Sequence, residues 1–166
     1  MTLPSRSRRI VTYLSLALTA TVFAMTVQAQ TRFAVSSDGQ EVQDSQTSLT
    51  WRRCAEGMNW DGKTCAGKAS KFSYAAAVKQ ASAVAAKGAQ GWRLPTRAEL
   101  LTLVDKTQKK PLIDRAAFPG TPNGLFWATR PEANDNLNAW IVNFGNGRVY
   151  GNTGSKTLHM RLVHSN

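Results

Sequence analysis

Gly91-Trp92-Arg93-Leu94-Pro95-Thr96-Arg97-Ala98-Glu99-Leu100 is the stretch from which the rest of the chain can be read. Pro95 restricts Leu94 to extended geometry, which sharpens the boundary of the helix that follows. Thr96 and Glu99 then change the course of the chain. At this spacing the Thr96 hydroxyl serves the Glu99 amide and the Glu99 carboxylate returns to the Thr96 amide, a capping box that starts a helix. Leu100, Leu101, Leu103 and Val104 supply the apolar stripe of that helix. Trp92 and Arg93, an aromatic beside a cation, could form a recognition pair. The structural reading is preferred: Trp92 anchors the helix entrance to the core, where buried aromatics dominate the energetics, and Arg93 bonds carbonyls or packs on a neighbouring strand.

Upstream, Ser73 to Lys87 is a second helix, with Ser73 as N-cap and Gly88 available for the left-handed position after its end. Tyr74, Ala77, Val78, Ala81, Val84 and Ala85 recur at helical spacing. Their small size predicts close packing on a sheet. Before this helix the chain reads as β-structure: Phe33 and Val35 alternate with polar neighbours, and Glu41–Trp51 reads as a hairpin burying Val42, Leu49 and Trp51. After the capped helix comes a basic loop with Lys106, Lys109, Lys110 and Arg115, then strands again. Leu125–Thr129, a hairpin of Ala139–Phe144 and Arg148–Tyr150 about Gly145-Asn146-Gly147, and Leu158–Val163 are the candidates. On the last, His159 and Arg161 alternate with Leu158, Met160 and Leu162. The order β-α-α-β predicts an α+β domain.

The ends bound the compartment. Arg6, Arg8 and Arg9 precede an apolar Ile10–Val27, and Val27-Gln28-Ala29 places small side chains where a signal peptidase cuts. The expectation is a signal peptide over residues 1–29, a single domain over 30–166, and no transmembrane segment after cleavage, in the periplasm or secreted. An uncleaved anchor is the alternative. The chain carries 21 Lys and Arg against 10 Asp and Glu; removing three leader arginines leaves a charge of +8. That balance favours anionic partners, with nucleic acid set aside because an exported protein leaves it behind. Cys54 and Cys65 flank Trp60-Asp61-Gly62-Lys63, a turn-prone stretch, and are expected to pair in an oxidising compartment. A reactive thiol or half a metal site is the alternative, but no nearby His or second Cys pair supports it.

Taken together, the hairpin ending Leu49-Thr50-Trp51, the Cys-bounded loop, the alanine-rich helix and Gly91-Trp92-Arg93-Leu94-Pro95-Thr96 with Glu99-Leu100 resemble the Lcl C-terminal domain family. Phe126-Trp127-Ala128-Thr129, Asn138–Phe144 with Gly147, and Met160-Arg161-Leu162-Val163 continue the resemblance over nearly all of residues 30–166. These are bacterial exported domains, and the resemblance implies a C-type-lectin-like fold, two helices packed on short twisted antiparallel sheets, related to that of formylglycine-generating enzymes. Where the family often has a closing-strand Cys this chain has Leu162, and where it often has a basic residue, His164. The resemblance therefore leaves Cys54–Cys65 as the only bridge.

Candidate binding residues fall in three places: the basic loop (Lys106, Lys109, Lys110, Arg115), the polar loop Pro131–Asn138 (Asn134, Asp135, Asn136), and the hairpin beyond it (Arg148, Tyr150). Lysine and arginine can hold the sulfate or carboxylate groups of a polysaccharide. Glu132, Asn134, Asp135, Asn136 and Asn138 could serve calcium, which takes about six to eight oxygens, although a solvated loop of turn-formers is the blander reading. Trp127 and Trp140 are assigned to the core and Tyr150 to the surface. Catalysis finds no footing: no Cys follows Cys65, the only His are His159 and His164, and no nucleophile elbow or phosphate loop occurs. Asp105 and Asp114 could pair as carboxylates, though nothing in the sequence joins them. The expectation is an exported, non-catalytic binding module that recognises an anionic or carbohydrate ligand at the cell envelope, such as an anionic polysaccharide, through loops 105–123 and 131–138. The alternatives are a structural subunit presenting the domain to an envelope protein, or a degenerate formylglycine-generating-like enzyme.

Overall fold

The capping box forms as its spacing predicts. In the computed structural model, which describes residues 31–87, 91–129, 139–152 and 155–165, the Glu99 amide donates to Thr96 Oγ1 at 3.2 Å and the Thr96 amide to Glu99 Oε2 at 2.7 Å. The elements in chain order are β1 (Phe33–Val35), β2 (Glu41–Asp44), β3 (Leu49–Arg52), β4 (Asn59–Trp60), β5 (Cys65–Ala66), α1 (Tyr74–Ala86), α2 (Arg97–Thr102), β6 (Leu125–Ala128), β7 (Ala139–Asn143), β8 (Val149–Asn152) and β9 (Val163–Ser165). Among the described residues three antiparallel sheets result, ordered β1-β2-β3-β9, β4-β5 and β6-β7-β8. The fold is α+β, with two helices among the described residues, as expected. Pairing of β9 with β3, Trp51 opposite Val163, brings both ends of the described chain into one sheet.

The decisive stretch is the joint between sheets. Arg93 exchanges two backbone hydrogen bonds of 3.0 Å with Val163 of β9, and the Pro95 carbonyl accepts from the Thr129 amide just beyond β6. Trp92, Leu94 and Pro95 are buried between these anchors. The Arg93 side chain departs from the expected carbonyl-bonding role in its main contact: it forks onto Glu99 at 2.8 and 2.7 Å and gives only a 3.2 Å bond to the Leu94 carbonyl. Glu99 thus serves the cap and the ion pair together, and the Arg93 hydrogen bonds hold its carboxyl below the usual carboxylate range.

The core lies on both faces of the β6-β7-β8 sheet. Phe126 and Val142 join Trp51, Leu100, Phe118 and Phe144 on one face, whereas Trp127 and Ile141 join Ala77, Ala81, Trp92 and Met160 on the other. Successive strand residues point to opposite faces. A strand buried on both sides must therefore be apolar throughout, as Leu125-Phe126-Trp127-Ala128 is. Helix α1 packs through Ala77 and Ala81, with Tyr74 edge-on to Trp127 at 5.6 Å and the Trp127 indole donating to the Phe72 carbonyl at 2.7 Å. Val78, assigned to the same stripe, is 42 % exposed: the contact is narrower than the periodic pattern, because alanine brings the helix close along one line only.

Two further expectations change. Leu158–Val163 is not one strand: Leu158 and His159 form isolated bridges to Phe72 and Phe126, and β9 begins only at Val163. Consequently Arg161 does not alternate outward; it is wholly buried. The cysteine loop holds a small hairpin, β4-β5, whose turn is closed by Asp61 accepting from the Lys63 and Thr64 amides at 2.8 and 2.7 Å. Cys54 and Cys65 are bonded across it. Among the described residues no helix is long and apolar enough to cross a membrane.

Candidate functional site

The basic loop is held against the β7–β8 turn by its backbone. The Leu112 amide donates to the Phe144 carbonyl at 2.7 Å, and the Asp105 amide to the Leu112 carbonyl at 2.9 Å, closing residues 105–112 into a bend. Asp105 fastens its start: its carboxylate accepts from the Thr107 hydroxyl at 2.6 Å, the Thr107 amide at 2.9 Å and the Gln108 amide group at 3.2 Å. These donors, the Thr107 hydroxyl foremost, hold the Asp105 carboxyl below its ordinary range. Asp114 fastens the end through the Ala116 and Ala117 amides. Both acids are thereby turned to the loop's own backbone.

That docking carries Lys106 to the turn. A methyl group on Gly147 would sit 3.6 Å from Lys106 Cε, so the lysine stem runs along a residue that has no side chain to obstruct it. Gly147 also has φ +70°, which favours glycine on its own account. Arg148 and Tyr150 follow the same turn. Tyr150 is exposed, its hydroxyl receiving the Asn146 amide group at 3.0 Å, and Arg148 is exposed with its amide bound to Asn146 Oδ1 at 2.9 Å. Lys106, Arg148 and Tyr150 therefore share one end of the β6-β7-β8 sheet. Lys109, Lys110 and Arg115 are exposed on the same loop. Among the described residues the two ion pairs are Arg32–Asp44 and Arg93–Glu99, so none of these five loop and turn cations has a carboxylate within 4.0 Å.

A groove of about 670 Å³ opens beside the loop, walled by Phe33, Val35 and Val104 and edged by Arg32, Lys106, Asp105 and Asp114. It brings together the two carboxylates that no sequence feature joined. Arg32 is committed to buried Asp44 through a fork of 2.9 and 2.7 Å and to the Thr102 carbonyl at 2.9 Å, which ties β2 to the end of α2. Burial raises the Asp44 carboxyl, but the Arg32 fork and donors from Gln46 and Thr47 outweigh it and leave the group below its usual range.

Asn134, Asp135 and Asn136, with the oxygen-bearing neighbours proposed for calcium, lie outside the described residues. The strand ends that border them, Ala128 and Ala139, stand at the opposite end of the sheet from the β7–β8 turn, because Leu125 pairs with Asn143 and Ala128 with Trp140. Among the described residues no three His, Cys, Asp or Glu stand close enough to share a metal ion.

The cation that sequence reading missed is Arg161. Its guanidinium donates to the Arg52 carbonyl at 2.7 Å, to the Arg53 carbonyl, and to Thr121 Oγ1 at 2.7 Å, with the Phe118 ring 4.8 Å away. Burial pulls it down to about 9, still cationic at neutral pH. An arginine alone within the apolar run Met160–Val163 was the available signal. Three more arginines cover tryptophans: Arg53 over Trp60 at 3.7 Å, Arg52 over Trp92 and Arg97 over Trp140, each at 4.6 Å. Trp127 is fully buried as expected and Trp140 only partly.

The model of the Lcl C-terminal domain family matches residues 40–164, from the turn before β2 to the middle of β9. The chain belongs to the Lcl C-terminal domain family. The match spans the β2–β3 hairpin, the Cys54–Cys65 disulfide, both described helices and the Arg161 segment of this chain. No curated protein and no solved structure matches the chain.

Proposed function

We propose that this Lcl C-terminal domain is an exported, non-catalytic binding module, on a C-type-lectin-like scaffold, that holds an anionic polysaccharide through its basic loop and β7–β8 turn. The observation that carries the reading is the cluster of Lys106, Arg148 and Tyr150 about Gly147, extended by Lys109, Lys110 and Arg115 and free of carboxylate partners among the described residues. Unpaired exposed cations beside a tyrosine suit a sulfated or carboxylated sugar chain: the charges take the oxyanions and the ring takes a sugar face. The two loop acids that could have neutralised the lysines are occupied by backbone and hydroxyl donors. A Cys54–Cys65 disulfide is compatible with an oxidising, exported setting.

Heparin chromatography tests this. The parent protein should be retained at low salt and released steeply as ionic strength rises, since exposed charges are screened over about 10 Å at 0.1 M and about 3 Å at 1 M. The Lys106→Ala/Lys109→Ala/Lys110→Ala variant should elute markedly earlier. Co-elution of variant and parent overturns the reading.

A further inference from the structure

A second cleft, of about 740 Å³, shares no residue with the basic loop. Its apolar lining comes from Met58, Ala69 and Pro122, and its polar side chains are Lys68, Ser70, Lys71 and His159. The size falls within the roughly 300–1,000 Å³ of small-molecule sites, and an apolar floor with a few convergent polar groups is their usual composition.

The His159 ring is oriented by the protein. Its Nδ1 lies 3.1 Å from the Ser70 carbonyl oxygen, and a carbonyl only accepts, so Nδ1 carries the hydrogen. Nε2 then presents a lone pair, with no hydrogen-bond partner among the described residues. The near side of the ring is open because residue 124 is glycine: a methyl there would lie 3.5 Å from His159 Cδ2 and 3.8 Å from Nε2. Phe126 supports the ring, centroids 5.4 Å apart. Burial, assisted by the Lys71 charge and opposed by the Ser70 bond, holds the imidazole below its ordinary range and so neutral at pH 7.

Lys68 and Lys71 are exposed, and neither has a carboxylate within 4.0 Å among the described residues. The three groups thus ask for different things. The two ammonium groups want an oxyanion, neutral His159 wants a hydroxyl donor, and the floor wants carbon. A bare inorganic anion meets only the first demand and a neutral sugar only the other two.

We infer that this cleft binds a hydroxylated carboxylate of the acidic-sugar type, with Lys68 and Lys71 holding the carboxylate, His159 Nε2 accepting from a ring hydroxyl, and Met58 and Pro122 lying against the sugar's carbon face. The rigid wall behind it comes from the disulfide hairpin. A methyl on Gly120, at φ +68°, would come 2.8 Å from the Cys65 carbonyl oxygen and 3.1 Å from Met58 Cε, so residue 120 must be glycine for the wall to close.

The test is a titration of ¹⁵N-histidine-labelled protein at pH 7 with three probes: a galacturonic acid trimer, the neutral galactose trimer and sodium sulfate. The acidic trimer should shift the His159 Nε2 resonance saturably, with the proton remaining on Nδ1, whereas the other two should give no saturable shift. The Lys68→Ala/Lys71→Ala variant, which alters exposed side chains only, should bind the acidic trimer about tenfold or more weakly, the scale of losing one or two charge-assisted hydrogen bonds. Absence of a saturable shift, an equal response to sulfate or to the neutral trimer, or undiminished binding by the double variant overturns the proposal. The His159 resonance reports this cleft alone, so a failure here is distinguishable from a failure on heparin.

Discussion

Replacing Arg161 should unfold this domain more readily than any surface change, and the structure sets the scale. The guanidinium is 0 % exposed, faces no carboxylate within 4.0 Å among the described residues, and donates to the Arg52 carbonyl, the Arg53 carbonyl and Thr121. Hydrogen bonds from a charged donor are worth about 1.5–3 kcal/mol each, whereas burying a cation without a counter-ion costs several kcal/mol. The difference leaves Arg161→Met with an expected loss on the order of 3 kcal/mol. At this chain length that is a fall in Tm of roughly 10 °C. Arg161→Lys should lose at least as much, since it keeps the buried charge but cannot reproduce the forked donation. Urea melts followed by tryptophan fluorescence, with the disulfide kept oxidised, measure both. A lysine variant within about 1 kcal/mol of the parent, or a methionine variant more stable than the parent, refutes the view that the fork outweighs its own desolvation.

Gly39→Ala should cost about 2 kcal/mol or more and loosen the Arg53–Trp60 stack, because the added methyl would lie 2.3 Å from Trp60 Nε1 at a residue with φ +71°; a melt with a parent-like midpoint contradicts it. Acid should destabilise the domain in two stages. His159 is held below its ordinary value, so below about pH 6.5 the unfolded chain takes a proton that the native state resists, and stability falls as pH drops. Asp44 and Glu99 are also held low, so their contribution is complete above the ordinary carboxylate pKa of about 4 and is lost progressively as pH falls from there through their lower folded values. His159→Phe should abolish the first stage alone and Glu99→Gln should flatten the second, both read from urea midpoints across pH 3–8. Reducing the Cys54–Cys65 bond should cost about 2–3 kcal/mol, the chain-entropy value for so short a loop. A reduced protein with an unchanged midpoint would show that the β4-β5 hairpin holds the loop by itself.

The helices were legible because their signals are local. Thr96 and Glu99 bond to amides three residues away, and Ser73 accepts from Ala76 on the same scale, so no distant contact was needed to place either start. The run Leu125–Ala128 was legible as a strand, but not as one buried on both faces, since that depends on what arrives from Ala77 on one side and Leu100 on the other. The candidate site was legible as residue types only. Lys106 and Arg148 are far apart in the chain, and the Leu112–Phe144 hydrogen bond that brings their loops together has no side-chain signature. Arg161 was misread because alternation with Leu162 suggests an outward face, whereas the segment leaves the sheet there and turns the cation inward. Lys68, Lys71 and His159 did not attract notice as a group, being joined only when the 158–159 bridges set the ring beside Ser70.

Composition, caps and turn residues by themselves determined that this chain makes two helices and several short strands, carries excess positive charge and can staple a small loop. Each of those is settled by the backbone and charge of a residue and its near neighbours. Only the tertiary structure decided which arginine is buried, which carboxylates are occupied and which cations stand free. The physical reason is that the state of a charged group depends on the donors, acceptors and apolar matter around it, and at the long Arg161 and His159 contacts those come from parts of the chain about 40 to 110 residues away.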